Sequence, residues 1–153
     1  MTGYYAYESQ IEAVVRGFEL CTTEKDEFTH RSHLTVAVWY VLNYNEEQAT
    51  EKMRVGLHRF LDHLGVGREK YHETLTVFWI KTVRAVLEQL DPRDSVLEAT
   101  NTVIEKLGNS RLVFDYYSKE LLASTVSRNG WVKPDLKELE EPSQEERQAR
   151  KGS

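Results

Sequence analysis

The chain has 153 residues, the usual size of one domain, and its 40% hydrophobic and 29% charged residues are ordinary for a globular protein. Its net charge of −5 argues against a nucleic-acid backbone as the main partner, because that role needs a basic surface. Its one cysteine, Cys21, cannot form a disulfide within the chain and suits a reducing compartment.

Neither a targeting signal nor a membrane span is predicted from the sequence. The segment MTGYYAYESQ lacks the basic start and the apolar core of a signal peptide. The longest apolar run, residues 36–42, is far too short to cross a bilayer. We therefore expect a soluble, cytoplasmic protein that does not associate with membranes.

Glycine and proline divide the chain into segments of helical length. Gly65 and Gly67 end one segment, and Pro92 follows the end of the next. The predicted helices span residues 8–21, 30–43, 46–64, 71–90, 95–107 and 112–124. Residues 131–136 are predicted to form an extended strap, and residues 137–153 a disordered polar tail.

Two of these helices, the second and the fourth, are apolar on nearly every face. The run LTVAVWYVL lies in the second helix and the run VFWI in the fourth, and a helix that is apolar all round is normally central. A strand is the alternative for the first run, but no alternating partner segment occurs elsewhere. We predict an all-α, single-domain bundle of five to six helices over residues 1–136, with these two helices at its centre.

Both central helices carry histidine in their first turn. His30 and His33 are three residues apart, on adjacent turns of one helix face, and His72 with Glu73 opens the fourth helix. Because short loops make successive helices antiparallel, the second and fourth helices run parallel and begin at the same end of the bundle. The sequence therefore predicts that these four side chains converge.

The chemistry expected at such helix starts is that of neutral imidazole. The partial positive charge of a helix N-terminus disfavours protonated histidine, and the neutral form binds metals and accepts protons. We predict His30, His33 and His72 as ligands of a divalent first-row metal: zinc, iron, copper or manganese. Glu73, His72 and Tyr117 are the predicted catalytic residues, with Glu73 as a fourth ligand or a general base and the Tyr117 hydroxyl either in the site or at the surface.

A structural interpretation of the same histidines is left open by the sequence. Two histidines three residues apart often form a solvated helix start or a structural pair. His58 and His63 lie among charged residues, and we expect both at the surface. Cys21 is expected to be a small buried hydrophobic residue at a helix end.

Three elements of the sequence carry a resemblance to a known family. The segments FTHRSHLTVAVWYVL, YHETLTVFW and YYSKELLAS with WVKPDL resemble an uncharacterised family of small bacterial all-helical proteins. The resemblance covers the chain up to about Leu136 and implies that the polar residues of these elements form a site. The matching positions are Phe28, His30, His33, His72, Glu73, Thr74, Thr76, Tyr117 and Ser118.

The predicted function is that of a small soluble enzyme performing metal-dependent hydrolysis, hydration or proton transfer on a small molecule. One alternative keeps the site without a metal, with His72 and Glu73 as an acid–base pair acting on an acidic or carbonyl substrate. The other is a non-catalytic ligand-binding or protein-interaction module in which the histidines are structural. The substrate, the metal and the oligomeric state are not determined by the sequence.

Overall fold

The computed structural model describes residues 4–139, which form helices and connecting loops without a β-strand among them. Three short 3₁₀ segments, Lys25–Glu27, Arg68–Lys70 and Ser110–Asp115, lie in the connections. The predicted all-α bundle is confirmed. The α-helices within these residues are α1 (Glu8–Glu19), α2 (His30–Asn43), α3 (Glu46–Leu64), α4 (Glu73–Glu88), α5 (Val96–Leu107), α6 (Lys119–Ala123) and α7 (Thr125–Asn129).

Three predicted helices differ from the structure by two residues or more. Helix α4 spans Glu73–Glu88 rather than residues 71–90, and His72 is its N-cap. Helix α1 stops at Glu19 rather than at residue 21, because Cys21 adopts a left-handed conformation with φ 57° that a helix cannot continue. The predicted helix over residues 112–124 is wrong. A 3₁₀ segment is followed there by two one-turn helices, because the side chains of Ser118 and Ser124 cap new helix starts.

Helix α2 lies at the centre of the bundle, as its apolar sequence predicts. It packs against α1, α3, α4 and α5. Leu34, Val36 and Val38 are fully buried, although they do not share one helix face. Helix α4 is the second central element and packs against α2, α3, α5 and α7. Its residues Phe78 and Ile80 are also fully buried.

Ion pairs along α3 fix the relative direction of the helices. Glu46, at the start of α3, pairs with Arg84 near the end of α4, whereas Arg54 pairs with Glu73 at the start of α4. Helices α3 and α4 are therefore antiparallel. Because only Tyr44 and Asn45 join α2 to α3, α2 and α4 run parallel, and their N-termini point to the same end of the bundle.

The strap after α7 is tied to the bundle by hydrogen bonds. The Thr74 hydroxyl donates to the carbonyl of Gly130 at 2.8 Å, and the Val132 N–H donates to Thr74 Oγ1 at 3.2 Å. Asp135 accepts the backbone N–H of Ser118 at 2.8 Å. The strap thus holds α7 against the start of α4.

Two further predictions concern the chain end and membranes. Leu139 is partly buried against the core, and residues 140–153 of the predicted tail lie outside the described residues. Across residues 4–139, no helix is both long and apolar enough to span a bilayer.

Candidate functional site

His30 is held by the end of α5. Its Nε2–H donates to the carbonyl of Leu107 at 2.9 Å, and its ring meets Trp79 edge-on with centroids 4.6 Å apart. The Leu107 carbonyl is one of the last of α5, so it lacks a partner within that helix. His30 therefore satisfies a helix end, and its ring lies against Trp79 in the second turn of α4.

His33 has a buried ring nitrogen that lacks a partner among the described residues. Its Nε2 atom is shielded from solvent and makes no hydrogen bond within residues 4–139. The ring of Phe28 lies nearby, with centroids 6.4 Å apart. Burial, with a smaller contribution from the charge of His30, lowers the pKa of His33 to about 4. The neutral form predicted for this helix start follows from these surroundings.

A pH dependence of stability follows from His33. Since its pKa falls from 6.5 in the unfolded chain to about 4 in the folded chain, the unfolded state binds more protons between these values. The stabilisation is complete above pH 6.5 and is lost as the pH falls toward 4. His33 is only partly buried, so we expect a modest effect. The free energy of unfolding should fall by about 1–2 kcal/mol between pH 7 and pH 5, as measured by urea denaturation.

Two variants test whether His33, rather than another histidine, causes this pH dependence of stability. His33→Leu should abolish most of this dependence, whereas His63→Gln, at an exposed position on α3, should leave it unchanged. Carboxylates titrate mainly below about pH 4.5, outside the chosen interval. An equal slope in the wild type and in His33→Leu would contradict the assignment.

His72 is the N-cap of α4 and uses both ring nitrogens on the backbone. Its Nδ1 accepts the N–H of Leu75 at 3.2 Å, and its Nε2–H donates to the carbonyl of Leu122 at 2.8 Å. The residue is buried, with 8% of its surface exposed. Its imidazole thus joins the start of α4 to the C-terminal segment.

Tyr117, a predicted catalytic residue, is fully buried. Its hydroxyl donates to the carbonyl of Val132 at 2.6 Å, and its ring packs edge-on against Phe78. Burial raises the pKa of the Tyr117 hydroxyl above its ordinary value, so the group stays protonated at neutral pH. Through this bond Tyr117 anchors the strap to the bundle.

The predicted metal centre does not form as a cluster in the described part of the chain. Within residues 4–139, no group of three or more His, Cys, Asp or Glu side chains is arranged to hold a metal ion. His30 and His72 each have a ring nitrogen bonded to a backbone carbonyl, and ligation through that atom would break the bond. The metal site stays a prediction, and Nε2 of His33 is a buried donor without a hydrogen-bond partner in the described chain.

Glu73 lies in a different environment from the three histidines. The Arg54 guanidinium binds its carboxylate with two parallel hydrogen bonds, Nε to Oε1 at 2.9 Å and Nη2 to Oε2 at 2.5 Å. The Tyr71 hydroxyl donates to Oε1 at 2.6 Å. Arg54 holds the pKa of Glu73 below its ordinary value, so Glu73 is ionised at neutral pH and is a weak base.

Glu73 lines a surface cleft of about 640 Å³, which we call the arginine cleft. It lies between α3, the segment leading into α4, and α7. Three arginines and two glutamates line it; Arg54 and Arg68 are paired with carboxylates, whereas no ion pair is found for Arg128 among the described residues. Its principal side chains are Arg54, His58, Arg68, Tyr71, Glu73 and Arg128.

His58 belongs to this cleft, contrary to the expectation that it lies free at the surface. It is half-buried, and its ring meets Tyr71 edge-on with centroids 4.3 Å apart. Its charge acts on the carboxylates of Glu73 and Asp62, whose pKa values it helps to lower. His63, by contrast, is exposed as predicted. The arginine cleft therefore contains an imidazole that the sequence analysis did not assign to a site.

Arg128 is the second cleft residue that sequence reasoning missed. Its Nη1 donates to the carbonyls of Glu69 and Tyr71, at 2.8 and 3.3 Å. In the described chain no carboxylate pairs with Arg128, and its Nε and Nη2 donors make no hydrogen bond. These two donors form the edge with which arginine binds an oxyanion. The guanidinium is thus fixed in position with its charge uncompensated.

No family model, no curated protein and no solved structure matches the chain. The resemblance of the FTHRSHL and YHETLT elements to a bacterial helical family therefore stays a prediction. Functional inference then depends on the geometry of the chain itself.

Proposed function

We propose that the protein binds a small anionic molecule in the arginine cleft. The observation that carries this proposal is Arg128, whose guanidinium is held by two backbone carbonyls while its Nε and Nη2 edge has no partner among the described residues. A guanidinium positioned in this way loses little conformational entropy when it binds an oxyanion with two hydrogen bonds. The unpaired guanidinium attracts a small anion to the cleft.

The surroundings of the cleft favour a small ligand over a polyanion. On the far side of Arg54, the surface carries Glu46, Glu47 and Glu51. A nucleic-acid strand crossing both surfaces would meet these carboxylates, which repel phosphates. A ligand that fits within about 640 Å³ avoids them.

A second candidate function is acid–base catalysis on the bound anion. His58 favours it, because an imidazole at the cleft wall can transfer a proton to or from a bound molecule. Glu73 would then orient and stabilise rather than exchange protons, since Arg54 keeps it ionised. This is the metal-independent alternative of the sequence analysis, with His58 in place of His72.

Pooled ligand titrations followed by amide NMR test the binding proposal. We expect pools of small organic acids and phosphates to shift the amide signals of residues 68–73 and 125–130. Pools of neutral compounds of similar size should not shift them. The same mixtures kept in D₂O test the second candidate, which predicts exchange of a ligand C–H for deuterium that His58→Gln abolishes.

The outcomes separate the two candidates. Anion-induced shifts without deuterium exchange would favour a binding protein over an enzyme. Shifts confined to residues around His30 and His33 would contradict the arginine cleft as the site, as would the absence of any anion-induced shift.

A further inference from the structure

We infer that the anion recognised in the arginine cleft is the phosphoryl dianion of a small phosphate monoester. This inference rests on the proposed binding function and specifies its ligand class. The inference depends on the number of positive charges that the cleft offers to a ligand. A monocarboxylate and a phosphate monoester differ in this respect, because the latter carries nearly two charges at neutral pH.

Arg128 supplies one guanidinium without a carboxylate partner among the described residues, and Arg68 can supply a second by exchanging its surface partner Asp62. Arg68 pairs with Asp62 at 2.8 Å, but the two side chains are 62% and 51% exposed. The pair has two parallel hydrogen bonds, but its exposure to water makes it weak, so a ligand dianion can replace Asp62 as the partner of Arg68. Both arginines line the cleft, and the carbonyl that anchors Arg128 belongs to Glu69, the residue after Arg68.

The two cleft carboxylates are both occupied away from these arginines. Glu73 is bound through both oxygens by Arg54. The carboxylate of Glu69 folds over Gly67, so closely that a Cβ at position 67 would overlap its oxygens. Neither carboxylate neutralises Arg128 or Arg68. A bound dianion could therefore meet two guanidiniums, Arg128 and an Arg68 released from Asp62, whereas a monoanion would meet Arg128 and leave Arg68 paired with Asp62.

The size of the cleft points to an ester rather than to free phosphate. A volume of about 640 Å³ is much larger than one phosphoryl group and falls in the range of small-molecule sites, roughly 300–1,000 Å³. Tyr71, half-buried, offers ring surface beside the arginines. An organic group attached to the phosphate can occupy this space.

Calorimetric titration of the full chain with phenyl phosphate and phenyl sulfate tests the inference. The two ligands share a ring and a tetrahedral head group but carry about two charges and one charge at pH 7.5. We expect phenyl phosphate to bind about tenfold more tightly than phenyl sulfate. Benzoate serves as the planar monoanion and should bind no better than the sulfate.

Substitution of Arg128 and of Arg68 tests whether both guanidiniums bind the phosphoryl group. Arg128→Gln should weaken phenyl phosphate binding about tenfold to a hundredfold, and Arg128→Lys less, because it keeps the charge without the paired donors. Arg68→Gln should weaken it about fivefold. Arg93→Gln is the matched control, since Arg93 also pairs with an aspartate at the surface but lies outside the cleft, and should change the affinity less than twofold.

Each result has a distinct meaning once thermal melting shows that the variants are folded. Equal affinities for phenyl phosphate and phenyl sulfate, both dependent on Arg128, would overturn the dianion inference and leave the anion-binding proposal intact. Tightest binding of benzoate would do the same. An absence of binding by all three ligands overturns the inference, and the pooled titrations then decide the broader proposal. Phenyl phosphate binding that is unaffected in Arg128→Gln contradicts the inference and the role of the cleft.

Discussion

Replacing His72 with alanine is expected to lower the free energy of unfolding by about 3 kcal/mol. The substitution removes the cap on the Leu75 N–H and the hydrogen bond to the Leu122 carbonyl, both in an 8%-exposed position. It also leaves a small cavity. Urea denaturation of the wild type and the variant at pH 7 measures this loss, provided that the denaturant slopes are equal.

Asparagine at position 72 separates the contribution of the helix cap from that of the hydrogen bond to Leu122. The Asn side chain can accept the Leu75 N–H as an N-cap but is too short to reach Leu122, so His72→Asn should lose about half as much stability. His63→Ala, at an exposed site, should change stability by less than about 0.5 kcal/mol. If His72→Ala is as stable as His63→Ala, then the capping role of His72 is wrong.

Elemental analysis of the same proteins tests the predicted metal ligands. A purely structural role for His72 predicts the same metal content in the wild type and in His72→Asn. Stoichiometric metal in the wild type that is lost in both His72→Asn and His33→Ala would support the metal-dependent enzyme. Equal contents in all three proteins would contradict it.

Breaking the Arg54–Glu73 pair is expected to have the other large effect. The Glu73 side chain is only 13% exposed, so Arg54→Met leaves a largely buried carboxylate with the Tyr71 hydroxyl as its remaining partner. We expect a loss of about 2–3 kcal/mol, less than for a fully buried pair because Arg54 is 32% exposed. The pKa of Glu73 should rise in this variant, which NMR titration of its carboxyl carbon can measure.

The Glu73→Gln variant provides the complementary measurement. It keeps the shape of the side chain and frees the Arg54 guanidinium within the cleft. We expect a smaller loss of stability, about 1–2 kcal/mol, and a coupling energy above about 1 kcal/mol in the double-mutant cycle with Arg54→Met. Glu51→Gln, which removes the exposed partner of Arg54, is the control and should cost less than about 0.5 kcal/mol.

The affinity for phenyl phosphate should change in opposite directions in Glu73→Gln and in Arg54→Met. Glu73→Gln gives the ligand a third available guanidinium, so phenyl phosphate should bind about threefold more tightly. Arg54→Met leaves the charge of Glu73 uncompensated and should weaken binding by a similar factor. Equal affinities in both variants would show that the ligand does not sense this charge pair and therefore lies elsewhere.

The fold was largely predictable because apolar content and helix ends are local properties. The run LTVAVWYVL has no polar face, which left α2 only a central position. Short connections then made α2 and α4 parallel. The segment around Ser118 and Ser124 was mispredicted, because its apolar residues suggested one helix while two serine caps start two.

The site was less predictable because it depends on long-range contacts. A histidine directly before a helix fits a metal ligand and an N-cap equally well in the sequence. The structure shows the N-cap, because Nδ1 of His72 accepts the N–H of Leu75 three residues later. Arg54 and His58 are four residues apart on α3, which placed them on one face. No local pattern linked them to Arg128, whose position depends on the docking of α7 against α4 through the hydrogen bond from Thr74 to the carbonyl of Gly130.

A crystal structure of the protein grown with phenyl phosphate tests the central claim most directly. The account predicts density for the phosphoryl group against Nε and Nη2 of Arg128, with the Arg68 guanidinium turned from Asp62 toward the ligand. His30 and His72 should keep their bonds to the carbonyls of Leu107 and Leu122. A ligand bound among the three helix-start histidines, with the arginine cleft empty, would contradict it.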